Sequence, residues 1–327
     1  MLARRLLALA LAIALVGAAV VARSKLDNGG TTADVADSGD LRLGCISELA
    51  NVCAAVAAAL PAVSVTTEAA GRTIDRLADR SRSVDLDGWL TFSPLPDAAG
   101  DERGEQVFER STPLGRSELG IAVRGDRQAV LAAKCPGLVW KCVGDLANRP
   151  WSQIGGRAEW GNVKPGFDDP TVSARGLLVF TAAVVSWFGN PDLGKRELSD
   201  NGFRSWLRNV RDANPTDTGA LDSSLVRMIT QPGSLDLVGT SEADWAALGS
   251  RADFPLVAAN TGPVGSLSVV LATTFGKNAT KLENAVRNEL VKQLTAAGWT
   301  PTGASNAISD VDGTTVNAIR NLWREQS

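Results

Sequence analysis

The sequence contains no histidine and no tyrosine. Without imidazole there is no Ser-His-Asp or Cys-His nucleophile pair and no histidine general base. No glycine-rich phosphate loop ending in Lys-Ser/Thr occurs. Paired carboxylates exist, as at Asp85 with Asp87 and Asp168 with Asp169. Each sits beside turn residues, where capping and solvation account for it more simply than glycosidase chemistry. An enzyme is therefore not expected, and neither is a cofactor. Basic residues do not exceed acidic ones: 33 Lys and Arg against 36 Asp and Glu give a net charge of −3. That balance argues against a nucleic-acid partner, which needs a basic face. Beyond the N-terminus no apolar run reaches bilayer length; the longest, Leu177 to Phe188, suits a buried helix.

The N-terminus reads as an export signal. Arg4 and Arg5 precede an uncharged run from Leu6 to Ala22 that ends in the small-residue pattern Val20-Val21-Ala22. Residues 1–22 are thus a signal peptide, or a signal anchor with its N-terminus in the cytoplasm. No cysteine follows the run to mark a lipoprotein attachment site. Residues 23–40 are small and polar and read as a flexible tether. The protein is expected outside the cytoplasm, extracellular or in the cell envelope, touching the membrane only through its N-terminal segment. The remaining residues exceed what one core usually supports, so two lobes are the default.

Four cysteines, at 45, 53, 135 and 142, allow three connectivities. In an exported chain, local bridges Cys45–Cys53 and Cys135–Cys142 are the simplest assignment, with buried free thiols the alternative. The spacings do not suit zinc, and no metal site is expected.

From residue 41 strand and helix patterns alternate. Leu41 to Cys45 reads as a strand, followed by a helix capped by Ser47 and Asn51 that carries Val52, Val56 and Leu60 and stops at Pro61. Val63 to Thr67 is a second strand, Ile74 and Leu77 mark a second helix, and Asp87 to Pro94 is a third strand closed by a Ser-Pro-Leu-Pro turn. This βαβαβ order implies a parallel sheet. After a polar excursion over 97–112 come a strand at Leu119–Arg124, the cysteine-flanked turn and the segment GFDDPTVSARGLLVFTAAVVSWFG at 166–189. There Asp168, Asp169, Pro170, Thr171 and Ser173 offer caps and a first-turn proline to an apolar helix, whose free amides suit a polar or anionic group. Phe203, Trp206, Leu207 and Val210 form a stripe read as core. Strands at 234–241, 255–259 and 267–273 follow, with a helix beginning at Glu242 and Trp245, and then a helix with Leu282, Val286, Leu290 and Leu294 at every fourth position, ending at Gly298.

The order of these pieces resembles a bacterial type II periplasmic solute-binding protein of ABC transporters. The resemblance lies in LRLGCISELANVCAAVAAAL, in DGWLTFSPLP with STPLGRSELGIAVR, in VKPGFDDPTVSARGLL, and in SLDLVGTSEADW with FPLVAA and NELVKQLTAAGWTPTG. Together they cover most of residues 41–303; the order is more specific than any one motif. The family includes copies fused to von Willebrand-type domains. The resemblance implies an α/β fold of two lobes, each a mixed sheet flanked by helices, joined by two crossover strands. Lobe I would take residues 41–117 and 255–327, and lobe II residues 118–254. It implies a monomer that closes on a small polar solute and docks on an ABC permease. The cleft would be lined by Ser47, Glu48, Trp89, Thr91 and Ser93 from lobe I, and by Thr171, Ser173, Arg175, Thr240 and Glu242 from lobe II. Departures are the two aspartates beside an anion-friendly helix start, the absence of tyrosine for stacking, and Cys45 at the cleft opening, where a bridge to Cys53 would stiffen the lip. The alternative is an envelope interaction or scaffold protein that keeps the fold without transport; a closed, occluded cleft would favour it.

Overall fold

Short apolar strands that alternate with amphipathic helices bury their faces by layering helices over a sheet, and this is the arrangement in the computed structural model. It describes residues 41–214, 223–252, 254, 256–257, 265–302 and 311–325. The expected signal and tether, and part of the strand expected at 255–259, lie outside them.

The strands are β1 (Leu41–Ile46), β2 (Val63–Glu68), β3 (Gly88–Phe92), β4 (Phe108–Val123), β5 (Pro165–Gly166), β6 (Leu237–Ser241), β7 (Leu256–Val257), β8 (Ser266–Thr274) and β9 (Thr300–Pro301). The first six helices are α1 (Ala50–Ala59), α2 (Ala70–Ala78), α3 (Leu95–Arg103), α4 (Gly125–Lys134), α5 (Trp140–Leu146) and α6 (Ala174–Phe188). The others are α7 (Lys195–Leu198), α8 (Asn201–Ala213), α9 (Ser224–Thr230), α10 (Glu242–Leu248), α11 (Lys277–Ala296) and α12 (Gly313–Glu325).

The sheet is mixed and runs β2-β1-β3-β8-β4-β6-β5, with β7 and β9 also on β4. The pairs β1–β2, β1–β3 and β5–β6 are parallel, whereas β8 lies antiparallel between β3 and β4. β4 runs through both of the expected lobes. Its first part, Phe108 to Glu118, pairs with β8, and its last part, Leu119 to Val123, pairs with β6. β4 therefore passes the expected lobe boundary at 117/118 without a break.

Strand alternation sends Gly88, Leu90 and Phe92 of β3 to one face. A Cβ at Gly88 would meet Leu282 of α11, which locates that helix on this side. The α11 stripe Leu282, Val286, Leu290 and Leu294 is buried throughout. Each such side chain stabilises by about 1.5–3 kcal/mol relative to exposure. α6 is apolar after Arg175 but for Thr181 and Ser186, and it is buried from Ala174 to Val185, as a helix with so little polar surface must be. The stripe Phe203, Trp206, Leu207 and Val210 of α8 is core, as read from its spacing.

Three local expectations are corrected. Ser47 and Asn51 do not cap α1: a short 3₁₀ turn, Ser47–Leu49, precedes it and neither helix start has a side-chain cap. The excursion at 97–112 holds α3 and the start of β4. The helix signals were present there, with proline in the first turn, Asp97 near the N-terminus and Gly104 at φ 72 closing the helix. The strand expected at Leu119 is the far end of the 16-residue β4.

The C-terminal helix α12 packs on α3, α6 and α7. On the lobe I side Asn317 Nδ2 donates to the Ala98 carbonyl at 2.6 Å. On the lobe II side Trp323 meets Phe180 at 4.9 Å and Phe167 at 5.5 Å between ring centroids. Among the described residues no helix is long and apolar enough to cross a membrane.

Cys45 is bonded to Cys53 and Cys135 to Cys142, with Cα separations of 6.6 and 5.6 Å. The closed loops are short, so each bridge contributes about 2.5 kcal/mol on the chain-entropy estimate. Their accessibility differs. Cys45 and Cys53 are both buried, whereas Cys142 is half-exposed. Mild reduction with timed alkylation and mass spectrometry is therefore expected to open Cys135–Cys142 first; the opposite order would contradict this packing.

Candidate functional site at the interlobe contact

The start of α6 is built by a tight turn. The Asp169 carboxylate accepts from Thr171 N at 2.8 Å and Thr171 Oγ1 at 2.7 Å, and its carbonyl accepts from Ser173 N at 2.8 Å. This turn delays the helix, which begins at Ala174 rather than at Pro170. Ser173 is the N-cap, its Oγ accepting from Gly176 N at 2.9 Å. Gly176 is required here, because a Cβ would run into the Asp168 backbone.

Asp168 does more than cap a turn. One carboxylate oxygen accepts from Arg175 Nε at 3.0 Å and Nη2 at 2.7 Å, and the other accepts from Ser224 N at 2.7 Å. Arg175 Nη1 donates to Asp244 at 2.7 Å, and Asp244 also receives the Ser241 hydroxyl at 2.6 Å. The Asp168 and Arg175 side chains are only 10% and 9% exposed. Burial disfavours the Asp168 carboxylate, but the Arg175 guanidinium and the Ser224 N–H outweigh it and hold its pKa below the usual range. Burial likewise disfavours the Arg175 cation, yet Asp168, Asp244 and Glu48 hold its pKa above the ordinary value. Arg175, expected to line the cleft, is thus engaged by protein carboxylates.

Lobe I supplies the next layer. Glu48 Oε1 accepts from Ser173 Oγ at 2.7 Å and from Arg175 N at 3.2 Å. Ser173 has one hydroxyl proton; the shorter distance gives it to Glu48, with Asp168 3.2 Å away. A carboxylate of the protein's own therefore sits at the positive end of α6. A few residues away Gly71 N donates to the Val172 carbonyl at 3.0 Å. A Cβ at Gly71 would collide with the Thr171 carbonyl, so only glycine permits this approach. Arg320 of α12, with its side chain wholly buried, donates through Nη2 to the carbonyls of Gly71 at 2.8 Å and Thr171 at 3.2 Å. Burial lowers the Arg320 pKa, against the opposing pull of Asp75, 3.0 Å away.

Of the ten residues expected to line the cleft, Ser47, Glu48, Thr171, Ser173 and Arg175 gather here. The others do not join them. Trp89 is fully buried and stacks on Phe108 at 5.9 Å; Thr91 and Thr240 are fully buried, and Ser93 nearly so. Glu242 is exposed at the start of α10. The indole N–H of Trp89 and the hydroxyls of Thr91 and Thr240 are buried without a hydrogen-bond partner. The reading missed Gly71, Asp244 and Arg320. For Arg320 a signal existed, since it stands four residues after Val316 on an apolar helical stripe.

The folded-state pKa of Asp168 lies below its ordinary value of about 3.9. The pair thus contributes its full stability above that value and loses it as pH falls through the folded value. Asp168→Asn is expected to lower stability at neutral pH by about 3 kcal/mol and to flatten the acid-induced loss. Equal acid sensitivity in the two proteins, measured by chemical denaturation across pH, would refute the assignment.

No protein-family model matches this sequence, and no curated protein does. Solved structures are similar. The periplasmic binding protein AfuA from Actinobacillus pleuropneumoniae, with fructose-6-phosphate bound, superimposes with a TM-score of 0.58 at 12% identity, over 88% of this chain and 96% of its own. Iron-bound HitA from Pseudomonas aeruginosa gives 0.57 at 13% identity over 87% and 99%. The ferric binding protein from Campylobacter jejuni gives 0.53 at 12% identity over 87% and 96%. Likeness at such identity is likeness of fold. The chain therefore has the fold of the two-lobe type II periplasmic binding proteins.

Proposed function

We propose that this chain is an exported solute-binding protein whose lobes close on a small polar solute at the start of α6, presenting it to an ABC permease. The observation that supports this reading is the bond from Ser173 of lobe II to Glu48 of lobe I. It is a polar contact between lobes, made by residues of the kind that hold a solute, at a helix start whose hydroxyls come free once the lobes part. Ser47, Glu48, Thr171 and Ser173 are the side chains assigned to the solute. Kinship with copies fused to von Willebrand-type domains belongs to the same reading.

The charge balance indicates the solute's character at this point. Three carboxylates, Glu48, Asp168 and Asp244, surround the single guanidinium of Arg175. That surplus favours a solute presenting N–H or O–H donors over a bare oxyanion.

A second reading, an envelope interaction protein that does not transport, draws on the self-made closure. Glu48, Gly71 and Arg320 bind lobe II directly, with no need of a solute. Thermal-shift screening against amines, polyols, amino acids and oxyanions separates the two. A true solute is expected to stabilise by RT ln(1 + [L]/Kd), about 2.7 kcal/mol at a hundredfold excess over Kd. If no class shifts melting at millimolar concentration, the interaction reading stands instead. Glu48→Ala is expected to raise the radius of gyration in solution scattering, and solute to lower it again; an unchanged radius would remove Glu48 as a closing contact.

A further inference from the structure

Lobe I holds a cavity of about 560 Å³ that the Glu48–Ser173 bond does not use. It is lined by residues of β1, the edge strand β2 and α2, and by Val172 of the expected lobe II. Parallel register sets Arg42 beside Ser64 and Gly44 beside Thr66 on one face of the sheet. Ser64, Thr66 and Thr67 are exposed to the cavity, and the exposed Ser47 borders it. A lining of hydroxyls, which both donate and accept, is suited to a ligand rich in hydroxyl groups.

The charges in the cavity are unequal in their commitments. Arg76 donates from Nε and Nη2 to Glu68, at 3.3 and 3.2 Å, and from Nη1 to Asp85. Arg42 lies 3.5 Å from Asp87, whose other oxygen accepts from the Arg42 backbone N–H at 2.8 Å. Asp87 is itself buried by this role, where capping or solvation was expected. Arg72 differs. It is exposed in the first turn of α2, with no ion pair among the described residues. A cation in a first turn opposes the helix dipole, and this helix start also lacks a side-chain cap. A bound anion would offset the Arg72 charge; Gly71 N of the same turn is already taken by the Val172 carbonyl.

We propose that this groove is a binding site for an anionic polyol, a sugar acid or sugar phosphate, with Arg72 as the anchor for its carboxylate or phosphate. A guanidinium grips such a group through paired N–H donors, while Ser64, Thr66 and Thr67 take the hydroxyls. Because Val172 belongs to the segment that lobe II presses onto Gly71, a ligand in the groove touches both lobes and favours their closed arrangement. The site goes beyond the reading above, which places its solute at the start of α6.

Calorimetric titration of the purified protein tests it, with D-gluconate and D-glucose 6-phosphate as probes and glucose and inorganic phosphate as controls. At least one anionic polyol is expected to bind, with both controls weaker by about tenfold or more. Arg72→Ala is expected to weaken that binding roughly ten- to a hundredfold, and Arg72→Lys to restore part of it; the exposed position leaves folding intact, checked by circular dichroism. Failure of both probes at millimolar concentration overturns the proposal, as does undiminished binding to Arg72→Ala. Binding that survives Arg72→Ala but disappears in Ser173→Ala assigns the ligand to the α6 start, which overturns the groove and leaves the solute-binding reading standing.

Discussion

A carboxylate buried at the entry to an apolar helix must be neutralised in place, and much of the site follows from that requirement. Asp168 lies under the first turn of α6, and Arg175, one residue into the helix, turns back to meet it. An unpaired buried charge would cost several kcal/mol, whereas a paired and fully hydrogen-bonded one is tolerable. Ser224 and Asp244 complete the set and draw α9 and α10 towards the same point. The Arg175 side chain is thereby withdrawn from any solute, but its backbone N–H and the Ser173 hydroxyl are held facing lobe I. The ion pair is a positioning device for donors that it does not itself supply.

Those donors meet Glu48, so the closed arrangement has a stability of its own. On the proposed reading a solute would compete with an internal carboxylate, and the free energy of closure would come only from the difference between the two sets of contacts. If the competent open form were about one part in a hundred, the apparent affinity would fall by about the same factor. Such a device suits a receptor that stays shut until a well-matched solute arrives, or a scaffold that stays shut altogether. The two differ in the size of one equilibrium, not in the fold.

The elements were legible where period and punctuation agreed. The α11 stripe at every fourth residue, the β-branched run of β2 and the α8 stripe all stand where their patterns put them. α3 was lost because Ser-Pro-Leu-Pro reads as a turn, although the same prolines also suit a helix start. The site was legible in its centre, since Ser173 and Glu48 do meet, but not in its partners. Nothing in the sequence tells which way Arg175 turns, and a strand tryptophan or threonine reads alike whether it faces solute or core. Trp89 and Thr91 carry cleft-like residue types, yet β3 is buried on both faces. Long-range contacts such as Gly71 to Val172 depend on the lobe angle, which local pattern does not encode.

β4 carries a last consequence. Because one continuous strand serves both expected lobes, a change in the angle between them would have to be taken up as twist and bend along its backbone. The ladder between β4 and β8 is already irregular between Phe108 and Arg110 and again between Pro113 and Gly115. Irregularities of this kind raise local twist and weaken pairing. Both irregularities precede Leu119, where β4 leaves β8 for β6, so the strand is already turned before it enters the second half of the sheet.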